Sequence, residues 1–189
     1  MTPLRRFCAI LVVLGAAGAW GYFSVRVARI PIAHQFTDPD GQFTLDYWSP
    51  LERTAIPDPL AHANLLLRLV QKKAPIIFSV RRESNIGAVD LSAPALLEQL
   101  TQKIGVEYPQ RFTDVQHVAA VPTQLDGVPA IAYDFSYLGG DQKTRMHQQF
   151  IALVKTHDAY YFAAQCPEQT WATQKPLFDQ ILHSVHFLH

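Results

Sequence analysis

Apolar and polar residues alternate along much of the chain after residue 40, a spacing typical of half-buried β-strands. The clearest stretch is 130–137, where four large apolar side chains share one face and small or polar side chains share the other. The same spacing predicts strands at 43–47, 64–70, 76–83, 113–121, 143–156 and 159–166. Short turns join most of them, so we expect antiparallel pairing.

A helical spacing replaces this alternation in the middle of the chain. Leu96, Leu100 and Ile104 recur at every fourth position after Ser92, and Gly105 ends the pattern. We therefore predict a helix here with one apolar side packed on the sheet.

A second helix is predicted near the C-terminus, where Trp171, Phe178, Ile181 and Val185 fall on one stripe. Pro176 lies inside this segment and removes a backbone hydrogen bond. We expect a kink there, or a helix that starts afresh near residue 175. Segments 30–36 and 49–59 contain proline and are interpreted as a linker and a loop.

This order of elements predicts an α+β fold, an antiparallel β-sheet covered by helices as an α/β/α sandwich. Residues 31–189 suffice for one domain, and the apolar fraction of 49% suffices for its core. Charged residues make up 17% of the chain, which argues against disorder.

The first 30 residues form a separate segment with the features of a transmembrane or signal helix. Arg5 and Arg6 precede an uncharged run at 7–25, whose length is close to the ~20 residues that span a bilayer. The small residues at 17–19 fit a signal-peptide cleavage site, whereas the apolar run continues from Trp20 to Val25. Two hypotheses follow. The chain is a single-pass protein of the bacterial inner membrane with its domain on the periplasmic side, or it is cleaved after Ala19 and is periplasmic or secreted.

The charges argue against a nucleic-acid partner. Residues 1–30 contain four arginines and no acid, which leaves 12 basic and 16 acidic residues in the remainder. Binding a polyanion needs many clustered cations, which this remainder lacks. Lys72, Lys73, Arg81 and Arg82 form a modest basic group on one predicted hairpin. They are candidate contacts for an acidic partner or for anionic lipid head groups.

Histidines are the most suggestive candidates for a metal site. His183, His186 and His189 recur every three residues, and neighbours at that spacing on a helix can share a metal ion. Histidine is also favoured at a helix C-terminus by the helix dipole, so a simple surface role is the alternative.

No motif assigns a catalytic residue or a cofactor. The sequence lacks a Gly-x-Ser-x-Gly nucleophile elbow, and Gly139-Gly140 is better explained as a hairpin turn than as a phosphate-binding loop. Cys8 and Cys166 should lie on opposite sides of the boundary near residue 30, so we expect no disulfide and a buried Cys166.

Three segments together resemble one known family. They are Asp40-Gly41-Gln42-Phe43-Thr44-Leu45-Asp46-Tyr47, the stretch 126–137, and the ending 159–187 with its helix followed by Ser184 and Phe187. With an exported leader, this pattern is similar to the PsbP/Mog1-like α/β/α sandwich proteins, which include PsbP-like and DUF1795-type envelope proteins. The resemblance implies a binding or assembly role without catalysis.

We therefore carry three functional hypotheses. The first is a non-catalytic accessory or binding protein of the cell envelope, whose protein partner or small ligand is unknown. The second is an envelope hydrolase with a site assembled from dispersed Asp, His and Ser residues. The third is a metal-binding protein that uses the C-terminal histidines.

Overall fold

Strands dominate the computed structural model, which describes residues 33–56, 64–84 and 110–188 together with positions 86, 95 and 98. The strands are β1 (Ala33–Thr37), β2 (Phe43–Trp48), β3 (Glu52–Arg53), β4 (Leu65–Gln71), β5 (Ile76–Glu83), β6 (Thr113–Leu125), β7 (Val128–Leu138), β8 (Arg145–Lys155), β9 (Asp158–Pro167) and β10 (His186–Phe187). A 3-10 turn, Glu168–Thr170, leads into helix α1, Trp171–His183. Residues Ile32–His189 form one compact unit.

The strands make two sheets. The larger has seven strands in the order β3-β4-β5-β9-β8-β7-β6, and the smaller has three in the order β1-β2-β10. Every paired neighbour is antiparallel, as the short turns require. The predicted α+β class is confirmed.

The main core lies between one face of the large sheet and a layer made by the small sheet and α1. Phe43 of β2 is fully buried, and its ring lies 5.6–6.0 Å from those of Phe36, Tyr160, Phe162 and Phe187. Rings at such distances add to the stabilisation from burial alone. This aromatic cluster joins β1, β2 and β10 to β9.

A second core covers the opposite face of the large sheet. Ile131, Tyr133, Phe135 and Tyr137 of β7 all belong to it, so the predicted one-sided pattern of this strand is confirmed. The helix predicted after Ser92 falls outside the described residues, apart from the isolated positions 95 and 98, which have helical backbone.

Three short strands correct the predicted loops and linker. The predicted linker at 30–36 contains the start of β1, which pairs with β2 from Ala33 opposite Trp48 to Thr37 opposite Thr44. Only Phe36 of β1 is buried, so the strand has almost no apolar pattern for the sequence to display. Strands β3 and β10 have two residues each and were missed because such short strands show no periodicity.

The edge strand β6 is longer than predicted. It continues past Val121 to Leu125 and includes Pro122, which lacks an N–H for a second neighbour. Proline is tolerated because, among the described strands, β6 lies at the edge of the sheet and pairs only with β7.

The C-terminal helix is continuous, so a new start near residue 175 is wrong. Helix α1 runs through Pro176 from Trp171 to His183, with Phe178 and Ile181 buried against the core. It ends at Ser184, whose Oγ accepts a hydrogen bond from the Asp46 N–H at 2.8 Å. Val185 is buried as expected but lies beyond the helix.

Among the residues that the structure describes, no helix combines the length and the apolar character needed to cross a membrane. The apolar run at 7–25 falls outside that part of the chain.

Candidate functional site

His147, Asp134, Glu168 and Trp171 form a polar cluster at one end of the large sheet, which we call the His147 cluster. The His147 side chain is only 11% exposed. Its Nε2 faces the Asp134 carboxylate of β7, and its Nδ1 lies 2.9 Å from Glu168 Oε2 in the 3-10 turn. The two ring nitrogens are therefore both directed at carboxylates.

Trp171 completes this cluster from the first position of α1. The imidazole of His147 and the Trp171 ring stack with centroids 3.9 Å apart and planes 20° apart. An aromatic face attracts a cation, so the stacking favours a protonated imidazole. The contact also links the start of α1 to strand β8.

The protonated form of His147 is favoured in the fold. Burial acts against the charged ring, but the hydrogen bonds and charges of Asp134 and then Glu168 outweigh it and raise the pKa of His147 above its ordinary value. Gln149 donates a further hydrogen bond to Asp134 at 3.2 Å, which holds that carboxylate in place.

This cluster is not arranged for nucleophilic catalysis. A general base needs a free nitrogen within hydrogen-bond reach of a nucleophile, but both nitrogens of His147 face carboxylates. The two possible nucleophiles beside it, the cross-strand neighbours Ser136 and Cys166, are both buried. Ser136 accepts a hydrogen bond from Arg145, and burial raises the pKa of the Cys166 thiol, which keeps it protonated. The predicted burial of Cys166 is confirmed.

The same geometry does not suit a metal ion. Asp134 and Glu168 occupy different nitrogens of one ring, so no single point lies close to both carboxylates and a nitrogen. Within the described parts of the chain, no group of three His, Cys, Asp or Glu side chains could hold a metal ion.

A second cluster, Asp38, Asp40, Arg82 and Asp158, lies at the opposite end of the sheet, and we call it the Arg82 cluster. Arg82 of β5 contacts Asp40 and lies 3.2 Å from Asp38 Oδ2 and 3.9 Å from Asp158 Oδ2. The Asp38 side chain is fully buried, and burial raises its pKa despite the Gln42 N–H and Arg82. This cluster links the β1–β2 turn to β5 and β9.

The predicted basic group does not lie together. Lys72 and Lys73 are exposed in the β4–β5 turn, whereas Arg81 and Arg82 lie near the far end of β5. Five residues of strand separate Arg81 from Ile76, which corresponds to about 17 Å. Arg81 is exposed, whereas Arg82 is engaged in its ion-pair cluster.

His183 and His186 do not lie on one helix face, because α1 ends between them. His183 is exposed at the end of α1, whereas His186 lies in β10 with its Nδ1 3.2 Å from Asp126 Oδ2. His189 falls outside the described residues. The helical spacing therefore does not extend from His183 to His186, and a metal site at the three histidines stays a prediction.

Sequence reasoning missed the role of His147, which it placed only in a strand. One signal was present, because alternation puts Asp134 and Ser136 on the less apolar face of β7. The pairing register that brings His147 to this face cannot be read from either strand alone.

Comparison with known proteins identifies the fold. Neither a protein-family model nor a curated protein matches the sequence. Cyanobacterial PsbP (CyanoP) from Synechocystis is similar in structure, with a TM-score of 0.62 and 16% identity over 86% of this chain and 96% of that chain. LpqN from Mycobacterium tuberculosis, described as involved in cell envelope biogenesis, has a TM-score of 0.56 and 10% identity over 85% and 93%.

A protein from Bacteroides thetaiotaomicron has a TM-score of 0.56 and 9% identity, with coverage of 82% of this chain and 48% of that chain. The chain therefore has a PsbP-like fold, and the resemblance seen in the sequence is confirmed at the level of the fold.

Proposed function

We propose that this protein is a non-catalytic accessory or binding protein of the cell envelope, with its domain outside the cytoplasm. One observation carries the proposal: the PsbP-like fold matches CyanoP and LpqN over 96% and 93% of their lengths. The match thus extends over nearly the full length of both solved chains. LpqN is described as involved in cell envelope biogenesis, which favours the same compartment here.

The N-terminal segment supports export. Arg5 and Arg6 followed by the uncharged run at 7–25 are typical of a segment that directs a chain into or across a membrane. An uncleaved anchor and a leader cleaved after Ala19 are both compatible with the proposal. In both cases the domain that starts at β1 works on the far side of the membrane.

The two polar clusters support a role without catalysis. The nitrogens of His147 and the guanidinium of Arg82 are already engaged with carboxylates of the same chain. Side chains held in this way link layers of the fold. A hydrolase would instead need a free base beside an accessible nucleophile.

Export is tested by fusing alkaline phosphatase, which is active only after export, to the C-terminus of the full chain. We expect strong phosphatase activity from intact cells, and a loss of at least tenfold when residues 2–25 are deleted. Full activity without these residues, or no activity with them, would contradict export. N-terminal sequencing of the mature protein then distinguishes the two forms, because a start at Trp20 means cleavage.

The non-catalytic role is tested by crosslinking in intact membranes and purification of the full chain. We expect a partner at a reproducible, near-stoichiometric ratio, recovered equally well with His147→Gln. Failure to recover any reproducible partner counts against the proposal. Recovery of hydrolytic activity that His147→Gln abolishes, with the fold intact by circular dichroism, would favour the hydrolase alternative.

A further inference from the structure

We propose that the end of the domain at which the chain enters β1 contacts an anionic phospholipid bilayer through Arg53, Lys72 and Lys73. This inference rests on the proposed envelope function and adds to it the surface and the lipid chemistry. The proposed binding partner is a bilayer and not a soluble acidic protein.

The pairing of the strands brings these three cations to the entry point of the domain. Ala33, the first residue of β1, is paired with Trp48, the last residue of β2. The chain then passes through Leu51 into β3, where Glu52 pairs with Val70 at the end of β4. The entry point, the start of β3 and the β4–β5 turn therefore lie at one end of the domain.

The cations at this end are available to a ligand. Lys72 and Lys73 are exposed, and Lys72 has a surface ion pair with Glu52 in which the side chains are 72% and 56% exposed. A pair of this kind is weak and exchanges readily with other anions. The Arg53 guanidinium lies 5.2 Å from the centre of the Phe36 ring, which holds it beside β1.

The length of chain before β1 favours a bilayer over a soluble acidic partner. Seven residues, 26–32, separate the apolar run from Ala33, and they can extend over at most about 27 Å. In the anchored form, the entry point therefore stays within this distance of the end of the apolar run. At the opposite edge of the same end, Asp114 is paired with Arg145, and the Asp141 carboxylate accepts hydrogen bonds from the N–H groups of Lys143 and Thr144.

The test uses the full chain made by cell-free synthesis into nanodiscs, so that no peptidase removes the leader. Hydrogen exchange is measured in discs of phosphatidylcholine alone and in discs that contain about one third phosphatidylglycerol. We expect exchange of the amides in 49–53 and 71–75 to be at least threefold slower in the anionic discs. The difference should disappear in Lys72→Gln/Lys73→Gln and in high salt.

Arg81→Gln is the matched control, because Arg81 is an exposed cation on the same hairpin at the far end of β5. It should retain the full difference between the two lipids. Equal exchange in both kinds of disc would overturn the proposal. A second result would also overturn the proposal: soluble polyglutamate slows exchange of these segments in neutral discs, and phosphatidylglycerol has no effect. That result would assign the surface to an acidic protein. Failure of the export reporter would refute the envelope function and leave this lipid measurement unchanged.

Discussion

The Arg82 cluster and the His147 cluster both attach a covering element to the large sheet, but they do so with different cations. Each lies at one end of the large sheet, and each links it to an element of the covering layer. The Arg82 cluster holds the β1–β2 turn, and the His147 cluster holds the start of α1. In the first the cation is permanent, whereas in the second it exists only when an imidazole is protonated.

Burial differs between the two clusters as well. The Asp38 side chain is fully buried, so an unpaired charge there is costly, whereas the Asp134 and Glu168 side chains are 33% and 39% exposed and can be hydrated. We therefore expect the Arg82 cluster to keep its cation across the physiological pH range, and the His147 cluster to hold α1 less strongly as the imidazole loses its proton.

The largest expected effect comes from Arg82→Leu. This substitution leaves the buried Asp38 carboxylate without its cation, and removing one partner of a buried pair typically costs about 3 kcal/mol or more. We expect a loss of about 3 kcal/mol in the free energy of unfolding, measured by urea denaturation at pH 7.

Arg81→Leu provides the control, because Arg81 is the adjacent residue but is exposed. A surface substitution of this kind usually changes stability by less than about 0.5 kcal/mol. Equal losses in the two variants would show that the ion pairs of Arg82 contribute no more stability than the exposed Arg81 does. That result would contradict the larger role assigned to the Arg82 cluster.

The sequence predicts much of this scaffold and little of either cluster. Strands β2, β4, β5, β7 and β9 were predicted because apolar and other residues alternate along much of each, and β8 was predicted because turn residues bound it on both sides. Phe178 and Ile181 were correctly placed on the buried side of the last helix. The spacing of apolar residues indicates which side of a single element is buried, and most of the core residues lie in these elements.

The clusters depend on contacts between elements that are distant in sequence. Asp38 and Arg82 are 44 residues apart, and His147 meets Glu168 after a gap of 21 residues. Arg81 and Arg82 look equivalent in the sequence, and only strand alternation together with sheet pairing separates them. The short strands β1 and β10 were missed for the same reason. They form by pairing with β2, and their own residues show no apolar pattern that would reveal them.

The next effect is a pH dependence of stability that originates in His147. Its pKa is raised in the fold, so its contribution is fully present below the ordinary histidine pKa of about 6.5 and is lost as the pH rises through the folded value. We expect His147→Gln to cost about 1 kcal/mol at pH 5.5 and distinctly less at pH 8.5, because the carboxylates are partly hydrated. Urea denaturation of both proteins at the two pH values measures this.

Subtracting the two proteins removes the titration of the other histidines, which are common to both. Arg82→Leu serves as the contrasting variant, because its loss of stability should be at least as large at pH 8.5 as at pH 5.5. Burial and the loss of Arg82 both raise the pKa of Asp38, so protonation of this carboxyl can relieve the unpaired charge only at the lower pH. A His147→Gln cost that is the same at both pH values, or larger at pH 8.5, would contradict the assignment of a pH-dependent contact to this cluster.

The smallest effect distinguishes the two carboxylates of the His147 cluster. Asp134 raises the pKa of His147 more strongly than Glu168 does, through both its hydrogen bond and its charge. Asp134→Asn should therefore lower the pKa of the imidazole more than Glu168→Gln does, as followed by the ring resonances in an NMR titration. Glu168→Gln should chiefly affect the chain near α1, because Glu168 lies in the 3-10 turn that leads into the helix.

If the two substitutions lower the pKa equally, β7 and the 3-10 turn hold the imidazole equally. If Glu168→Gln lowers it more, the imidazole is held chiefly by the turn, and the link between α1 and the large sheet then depends on the contact of Glu168 with His147 together with the Trp171 stacking.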